Sequence, residues 1–336
     1  MQTVDVQTHF LPEAYLEALG AKARSVRVTE RDGMPYISHE HDSFPLYPGF
    51  TDLDTRIEWM DEHDVDVGLL SVSKPSPNEG PFTVQESVEL ARALNDGYAA
   101  ARDAHPGRIN GLACLPMRDP EAAVAEVDRV ADELDLAGIA LKTTVRGTPL
   151  SDPSFVPVFE RIRHRGLSVF VHPRYNALTE SMGEDEWMLK PMVIFPTETT
   201  VQISRLVFDG FFDRFPEIPF VVAHLGGALP YLAGRLETAY DIAKERVAGD
   251  ADADDLPEHR PTHYLETLYY DAIAHHVPAL RCAVDTVGAD RLLFASDYPF
   301  EAEDAAGTFE DLEALGLTDS EREAVLGGTA AKLFDL

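Results

Sequence analysis

The chain has 336 residues, of which 45% are hydrophobic, so it can bury the core of one large α/β barrel or of two domains. Its 28 basic and 59 acidic side chains give a formal net charge of −31, which argues against nucleic acid and anionic membranes as partners. No apolar run approaches the roughly 20 residues that a membrane-spanning helix needs. The N-terminus lacks the basic start of a secretory signal, so we expect a cytoplasmic protein.

The charged residues are unevenly distributed. Lysine is scarce, with only six in the chain, and acidic residues cluster in predicted loops such as Asp250–Glu258. Repulsion among so many like charges costs stability in dilute buffer and is screened by salt. This composition is typical of proteins from extreme halophiles, so we expect a high-salt cytoplasm. Cys114 and Cys282 lie in apolar stretches without metal-site spacing, which predicts buried free thiols.

Strand-like and helix-like segments alternate along the whole chain. The first strand is predicted at Val4–Thr8, and residues 13–50 then interrupt the alternation. Within this stretch Asp32-Gly33 separates two extended runs, which is a hairpin signal, and we interpret the stretch as an insertion over the mouth of a barrel. The other strands are predicted at Val65–Ser73, Ile109–Pro116, Gly138–Thr143, Leu167–His172, Pro219–His224, Tyr264–Ala272 and Arg291–Ser296.

Helices are predicted between these strands and after the last one. They cover Asp54–His63, Thr83–His105, Pro120–Leu134, Pro153–Gly166, Thr199–Phe212, Pro230–Ala248, Pro278–Val287, Ala305–Leu315 and Asp319–Phe334. Eight strands alternating with helices predict an α/β fold, a (β/α)8 TIM barrel, as a single domain over residues 1–336.

Polar side chains close four of the short apolar runs. His9, His172, His224 and Asp297 each follow a different predicted strand. Barrel enzymes carry their chemistry at the C-terminal ends of the strands. Three histidines and an aspartate at that end are suitable ligands for a single metal ion.

Four motifs carry a resemblance to a known family: V-D-V-Q-T-H-F-L-P, V-F-V-H-P-R, A-H-L-G-G-A-L-P-Y-L-A-G-R and F-A-S-D-Y-P-F. They resemble the amidohydrolase superfamily, and more narrowly the amidohydrolase-related family that contains aminocarboxymuconate-semialdehyde decarboxylase. The match extends to Trp187–Thr200, Phe208–Pro216 and Val325–Phe334. Order and spacing agree over almost the whole chain, which implies a barrel of the metal-dependent hydrolase type.

The resemblance implies one divalent metal ion, held by Gln7, His9, His172 and Asp297, with an open position for water or a substrate oxygen. His224 would not be a ligand and would activate the metal-bound water or polarise the substrate. The family usually has histidine, sometimes glutamate, at the position of Gln7. We expect Zn²⁺, with Mn²⁺ as the alternative that a carboxamide oxygen favours. Whether Gln7 coordinates the ion or only hydrogen-bonds a bound water stays open.

The resemblance also indicates residues that bind the substrate. Arg235, eleven residues after His224, matches an arginine that in some relatives reaches the site of a neighbouring subunit, which implies a homodimer. An arginine expected near Phe44-Pro45 is missing. Arg174, Lys142 and Trp187 are further pocket candidates, and Arg174 and Arg235 suit a carboxylate because guanidinium pairs with it in a bidentate manner.

Three functions follow as hypotheses. The leading one is the non-oxidative decarboxylation of a small unsaturated or aromatic carboxylic acid, with His224 and Asp297 moving the protons. The first alternative is the metal-dependent hydrolysis of an amide, ester or lactone, with Asp297 taking the proton of the attacking water. The second alternative is a metal-poor barrel that only binds a ligand, which the carboxamide of Gln7 motivates.

Overall fold

The computed structural model describes residues 2–22, 26–31, 33–39, 42–174, 181, 187–247, 256–300 and 305–336. Of the sequence features discussed above, Asp32 and most of the acidic stretch 250–258 lie outside these residues. Within the described residues, no helix combines the length and apolar character that crossing a membrane requires.

Eight parallel strands form the central sheet, and each one neighbours the next in chain order. They are Val4–His9, Val67–Ser71, Ile109–Cys114, Gly138–Lys142, Val169–His172, Phe220–Val222, Tyr269–Asp271 and Leu292–Leu293. The amide of Val6 donates to the carbonyl oxygen of Phe294 at 3.1 Å, which joins the first strand to the segment after the eighth. The predicted (β/α)8 barrel is therefore confirmed.

The strands are rich in apolar residues because the barrel buries both of their faces, and the polar residues of the first strand are buried as well. Every residue of Val4–His9 is buried, and so is every residue of Val67–Ser71. Val4, Val6 and Phe170 pack inside the ring of strands in one cluster of buried side chains, while a larger cluster lies between the strands and the helices.

Thirteen α-helices are described. They are Glu13–Lys22, Leu53–Glu62, Val84–Ala104, Pro120–Arg129, Val156–Arg165, Phe195–Phe208, Phe211–Arg214, Leu229–Val247, Pro261–Leu265, Val277–Val287, Ala305–Ala314, Asp319–Glu323 and Thr329–Leu333. Local sequence explains several of their starts. Thr83 and Glu86 form a reciprocal capping box, and the side chain of Asp119 caps the helix that begins at Pro120.

The insertion after the first strand contains an antiparallel sheet of three strands, Arg27–Arg31, Met34–His39 and Asp42–Pro45. Arg31 pairs with Met34, as the predicted hairpin requires. The Phe44 ring lies 6.0 Å from the ring of Phe300, which follows the eighth strand. The insertion therefore packs against the segment that follows the eighth strand. A second small hairpin, Thr144–Val145 with Thr148–Pro149, was not expected from the sequence.

Most predicted elements differ from the observed ones by a few residues at their ends, and two differ more. The seventh strand was expected over Tyr264–Ala272, but Pro261–Leu265 forms a helix and only Tyr269–Asp271 pairs in the sheet. Pro261 occupies the first helical turn, where its fixed φ suits the helix. The helix expected at Thr199–Phe212 instead covers Phe195–Phe208, and Gly210 with φ 66° separates it from the next short helix.

Candidate metal centre and active site

Three side chains from distant parts of the chain meet at the C-terminal ends of the strands. His9 ends the first strand, His172 ends the fifth, and Asp297 follows the eighth. One donor atom from each residue lies within 4.8 Å of the donor atoms of the other two. The strand-end pattern predicted these three residues together with His224, which is not among the three. We call these three residues the donor group.

His9 has a polar neighbour at each ring nitrogen. Its Nδ1 lies 3.2 Å from Oγ of Ser71, the residue beside it on the second strand. Its Nε2 lies 2.7 Å from Oδ1 of Asp297, which accepts the Nε2 proton. Burial lowers the pKa of His9, so the ring is neutral and carries a single proton. A bound cation would take the place of the Nε2 proton, and the ring proton would then lie on Nδ1.

His172 presents the lone pair of one ring nitrogen to the site. Its Nδ1 donates to the carbonyl oxygen of Pro173 at 2.7 Å, so the lone pair is on Nε2. Burial and the neighbouring ammonium of Lys142 hold the pKa of His172 well below its usual value. A neutral imidazole with an oriented lone pair is what a metal ligand requires.

Asp297 is held in the charged form. Burial acts to raise its pKa, but the hydrogen bond to His9 and the nearby imidazoles of His9 and His224 outweigh burial, so the pKa lies below its usual value. The backbone amide of Asp297 donates to the carbonyl oxygen of Gln7 at 3.0 Å. The donor group thus offers two neutral imidazoles and one carboxylate, which fits one divalent metal ion.

His224 stands beside the donor group on a tight turn. Its ring centroid is 5.3 Å from that of His172. The backbone has φ 55° at His224, and the turn is held by Asp271, whose carboxylate accepts from the amides of His224 at 2.7 Å and Leu225 at 3.0 Å. A Cβ at Gly227 would lie 2.1 Å from the carbonyl oxygen of Pro196, so this position requires glycine. Burial lowers the pKa of His224 to about 4.

Gln7 is buried between the donor group and His224. Its Nε2 lies 3.0 Å from Oδ1 of Asp297 and 3.1 Å from Nε2 of His224. Its Oε1 is buried and has no hydrogen-bond partner within the described residues. Gln7 therefore lies where the sequence predicts, and its nitrogen is the atom that contacts the carboxylate.

Two of the four predicted substrate residues lie at the donor group or the mouth beside it. Lys142 pairs with His172 across neighbouring strands and places Nζ 3.2 Å from its Nδ1, while burial lowers the pKa of Lys142 to about 8. Arg174, two residues after His172, forms an ion pair with Glu79 at 2.9 Å. Arg235 and Trp187 are exposed, Trp187 by 79%, and neither has a described hydrogen bond or ring contact with the donor group.

Several residues at the site were missed in the sequence. Asp5 accepts from the amides of Gln7 at 3.2 Å and Ser296 at 3.1 Å, so it joins the two segments that carry Gln7 and Asp297. Burial raises its pKa to about 7. An aspartate inside the apolar run V-D-V was the available signal, because a buried acid needs partners. Glu79 lies in a loop without any such pattern.

Several known proteins are similar to this chain over most of its length. 2-Amino-3-carboxymuconate-6-semialdehyde decarboxylase of Dictyostelium discoideum is 30% identical over 85% of this chain and 77% of its own length. Gamma-resorcylate decarboxylase of Polaromonas sp. is 29% identical over 84% of this chain and 87% of its own length. The crystal structure of 5-carboxyvanillate decarboxylase from Sphingomonas paucimobilis superposes with a TM-score of 0.83 at 25% identity, covering 100% of this chain and 99% of the other.

These relatives confirm the predicted enzyme class, a carboxy-lyase, and two of the three act on aromatic acids by name. The family model described as amidohydrolase matches residues 4–336. With the donor group at the strand ends and a family match over nearly the whole chain, the protein belongs to the amidohydrolase family.

Proposed function

We propose that this protein is a metal-dependent decarboxylase that removes the carboxylate of a small unsaturated or aromatic acid without oxidation. The observation that carries the proposal is the convergence of His9, His172 and Asp297 within 4.8 Å, with His224 beside them. The names of the relatives support the reaction class.

His9, His172 and Asp297 would hold one divalent ion. The bound ion would supply positive charge that orients the acid and stabilises negative charge near the bond that breaks. Two imidazoles and one carboxylate suit Zn²⁺, and an added amide oxygen would favour Mn²⁺. We propose Zn²⁺ as the resident ion and Mn²⁺ as the alternative. Elemental analysis of the purified protein would distinguish the two ions.

The surrounding residues would bind the acid and move the proton. Breaking the carbon–carbon bond releases CO₂ and leaves an electron pair on the former carboxyl-bearing carbon, which takes up one proton. His224 and Asp297 would move that proton, since Asp297 belongs to the donor group, His224 lies beside it, and both side chains are partly exposed. Lys142 and Arg174 would hold the carboxylate, and the pairing of Arg174 with Glu79 fixes the direction of its guanidinium.

The mouth favours a flat apolar substrate body. The Phe300 ring lies 5.2 Å from the ring of His9, and the Phe195 ring lies 6.2 Å from the ring of His172. Aromatic side chains on two sides of the donor group suit an aromatic ring, which gains from edge and face contacts. We therefore expect aromatic acids to be better substrates than open-chain acids.

The experiment is a product assay on protein purified in high salt and loaded with Zn²⁺ or Mn²⁺. Hydroxybenzoic acids, unsaturated diacids, esters and lactones are each incubated, and CO₂ release is compared with carboxylate appearance. CO₂ release from aromatic acids supports the proposal. Hydrolysis of the lactones or esters without CO₂ release supports the alternative, and binding without turnover would identify a ligand-binding barrel.

We also propose a cytoplasmic, halophilic homodimer. Trp187 and Tyr231 are 79% and 78% exposed, and Arg235 lies one helical turn from Tyr231. A second copy that covers these side chains would bring Arg235 and Trp187 into a shared interface. Light scattering in molar KCl tests this arrangement, and a monomer would remove the reason to count Arg235 as a substrate residue.

A further inference from the structure

A buried amide lies between the two residues to which the proposed reaction assigns proton movement. Gln7 is fully buried. Its Nε2 is 3.0 Å from Oδ1 of Asp297 and 3.1 Å from Nε2 of His224. Both contacts are within hydrogen-bond distance, so one nitrogen links both residues.

Only one orientation of this amide satisfies both neighbours. A primary amide nitrogen carries two N–H donors, so it can donate to a carboxylate oxygen and to an imidazole lone pair at once. The reversed amide would place its carbonyl oxygen against the Asp297 carboxylate, with two acceptors and no proton between them. The nitrogen therefore faces Asp297 and His224.

This bridge constrains both partners. With the amide nitrogen as donor, His224 presents a lone pair at Nε2, and the neutral ring carries its proton on Nδ1, which is buried and has no hydrogen-bond partner within the described residues. Oδ1 of Asp297 is contacted by both Gln7 and His9, which leaves Oδ2 outside these two contacts. An amide nitrogen has no lone pair available to an ion, so the atom that Gln7 directs at the donor group is not a ligand atom.

We propose that Gln7 is a positioning residue whose amide nitrogen bridges Asp297 and His224, rather than a metal ligand. The bridge selects the Nδ1–H tautomer of His224 and one rotation of the Asp297 carboxylate. The two residues that move the proton are thereby fixed relative to each other. The catalytic consequence rests on the proposed function, whereas the bridge itself is measured without turnover.

The test compares the native protein with Gln7→Met and Gln7→Glu. Methionine keeps an unbranched side chain without donors, and glutamate keeps the shape and an oxygen for a metal but has no N–H at pH 8. The matched control is Thr8→Val, the next residue on the same strand, whose buried hydroxyl donates to the carbonyl oxygen of Leu69 at 3.1 Å.

The first measurement is ring ¹⁵N NMR of His224 in metal-free protein, with its signal assigned by the loss in His224→Asn. The second is the stoichiometry of Zn²⁺ and Mn²⁺ after dialysis. We expect the native and Thr8→Val proteins to show one neutral tautomer protonated at Nδ1, and both Gln7 variants to lose it. Both variants should keep the native metal stoichiometry, with kcat lower by roughly 10- to 100-fold.

Three outcomes overturn the inference. They are protonation at Nε2 in the native protein, an unchanged tautomer in Gln7→Met, and a Gln7→Glu variant that binds metal more tightly while keeping native kcat. The first concerns the native chain, so it does not depend on how well a variant folds. If no acid is turned over but the tautomer responds as expected, the bridge is retained and the proposed function fails.

Discussion

Nε2 of His9 lies 2.7 Å from Oδ1 of Asp297, although 288 residues separate them in the chain. The closure of the barrel produces this contact, because the first strand lies next to the segment after the eighth. Three backbone hydrogen bonds join the two segments, from Val6 to Phe294, from Asp297 to Gln7 and from His9 to Tyr298, and they set the alignment. The candidate site thus depends on the closure of the ring between the first strand and the segment after the eighth.

Replacing the carboxylate of the donor group should remove both metal and activity. In Asp297→Asn the side chain keeps its shape but loses the charge that offsets a divalent ion. We expect metal content to fall from about one ion to near zero and decarboxylation to fall at least about 100-fold. Elemental analysis and CO₂ release measure this. Asp290→Asn, whose side chain is 73% exposed, is the control and should match the native protein. Retention of full activity by Asp297→Asn would contradict the metal role.

The turn that carries His224 should depend on Asp271. In Asp271→Asn only one oxygen remains to accept from the amides of His224 and Leu225, so one amide is left facing an NH₂ group. The unpaired buried amide should lower the free energy of unfolding by about 1–3 kcal/mol. We expect kcat to fall more than KM rises. Thermal unfolding and steady-state kinetics at pH 8 test this, and an unchanged kcat would show that the turn does not need the carboxylate.

The contribution of His224 to the stability of the metal-free protein should fall on acidification, opposite in sign to that of the buried Asp5, whose pKa is raised. The pKa of His224 is about 4 in the fold and close to 6.5 in the unfolded chain. Between those values only the unfolded chain binds the proton at this side chain, so the contribution of His224 to the free energy of unfolding decreases as pH falls from 6.5 to 4. The slope should be about 1.4 kcal/mol per pH unit for this group. In denaturant titrations at several pH values, the His224→Asn variant should lose this slope from its plot of unfolding free energy against pH. A plot as steep as that of the native protein would argue against a neutral buried His224.

Substrate affinity should follow the charge of Lys142. Burial lowers its pKa to about 8, so the ammonium is charged below that pH and loses its proton above it. KM for a carboxylic acid should therefore rise between pH 7 and pH 9. In Lys142→Met we expect KM to be about tenfold higher at pH 7, and this rise with pH to disappear. Lys332→Met, on the exposed side of the last helix, serves as the control. Equal KM values for the Lys142 variant and the native protein would remove Lys142 from the substrate site.

Salt should stabilise the fold because the net charge is −31. Raising KCl from about 0.1 M to about 1 M shortens the screening length from about 10 Å to about 3 Å, which weakens repulsion among surface carboxylates. We expect Tm to rise steadily over this range. Calorimetry at constant pH measures it, with sucrose at matched osmolarity as the uncharged control. A flat or falling Tm would contradict the halophilic proposal.

The positions of the three donor residues could be predicted from the sequence because barrel strands are short apolar runs that end at polar side chains. His9, His172 and Asp297 each follow this pattern. The regular alternation of strands and helices predicts a parallel barrel, in which the C-terminal ends of all strands lie at the same rim. Predicted strand bounds were less reliable. Tyr264 and Leu265 look strand-like by composition, but Pro261 begins a helix that buries them.

The sequence alone thus determined the barrel, the family resemblance and the residue types at the strand ends, since these follow from local patterns of burial. Only the tertiary structure decided that the nitrogen of Gln7 faces Asp297 and His224, that Arg174 pairs with Glu79, and that Asp5 and Asp271 hold the segments around the site. Those contacts join residues that are far apart in the chain. Their partners are chosen by strand register and by the closing of the ring, which no local pattern encodes.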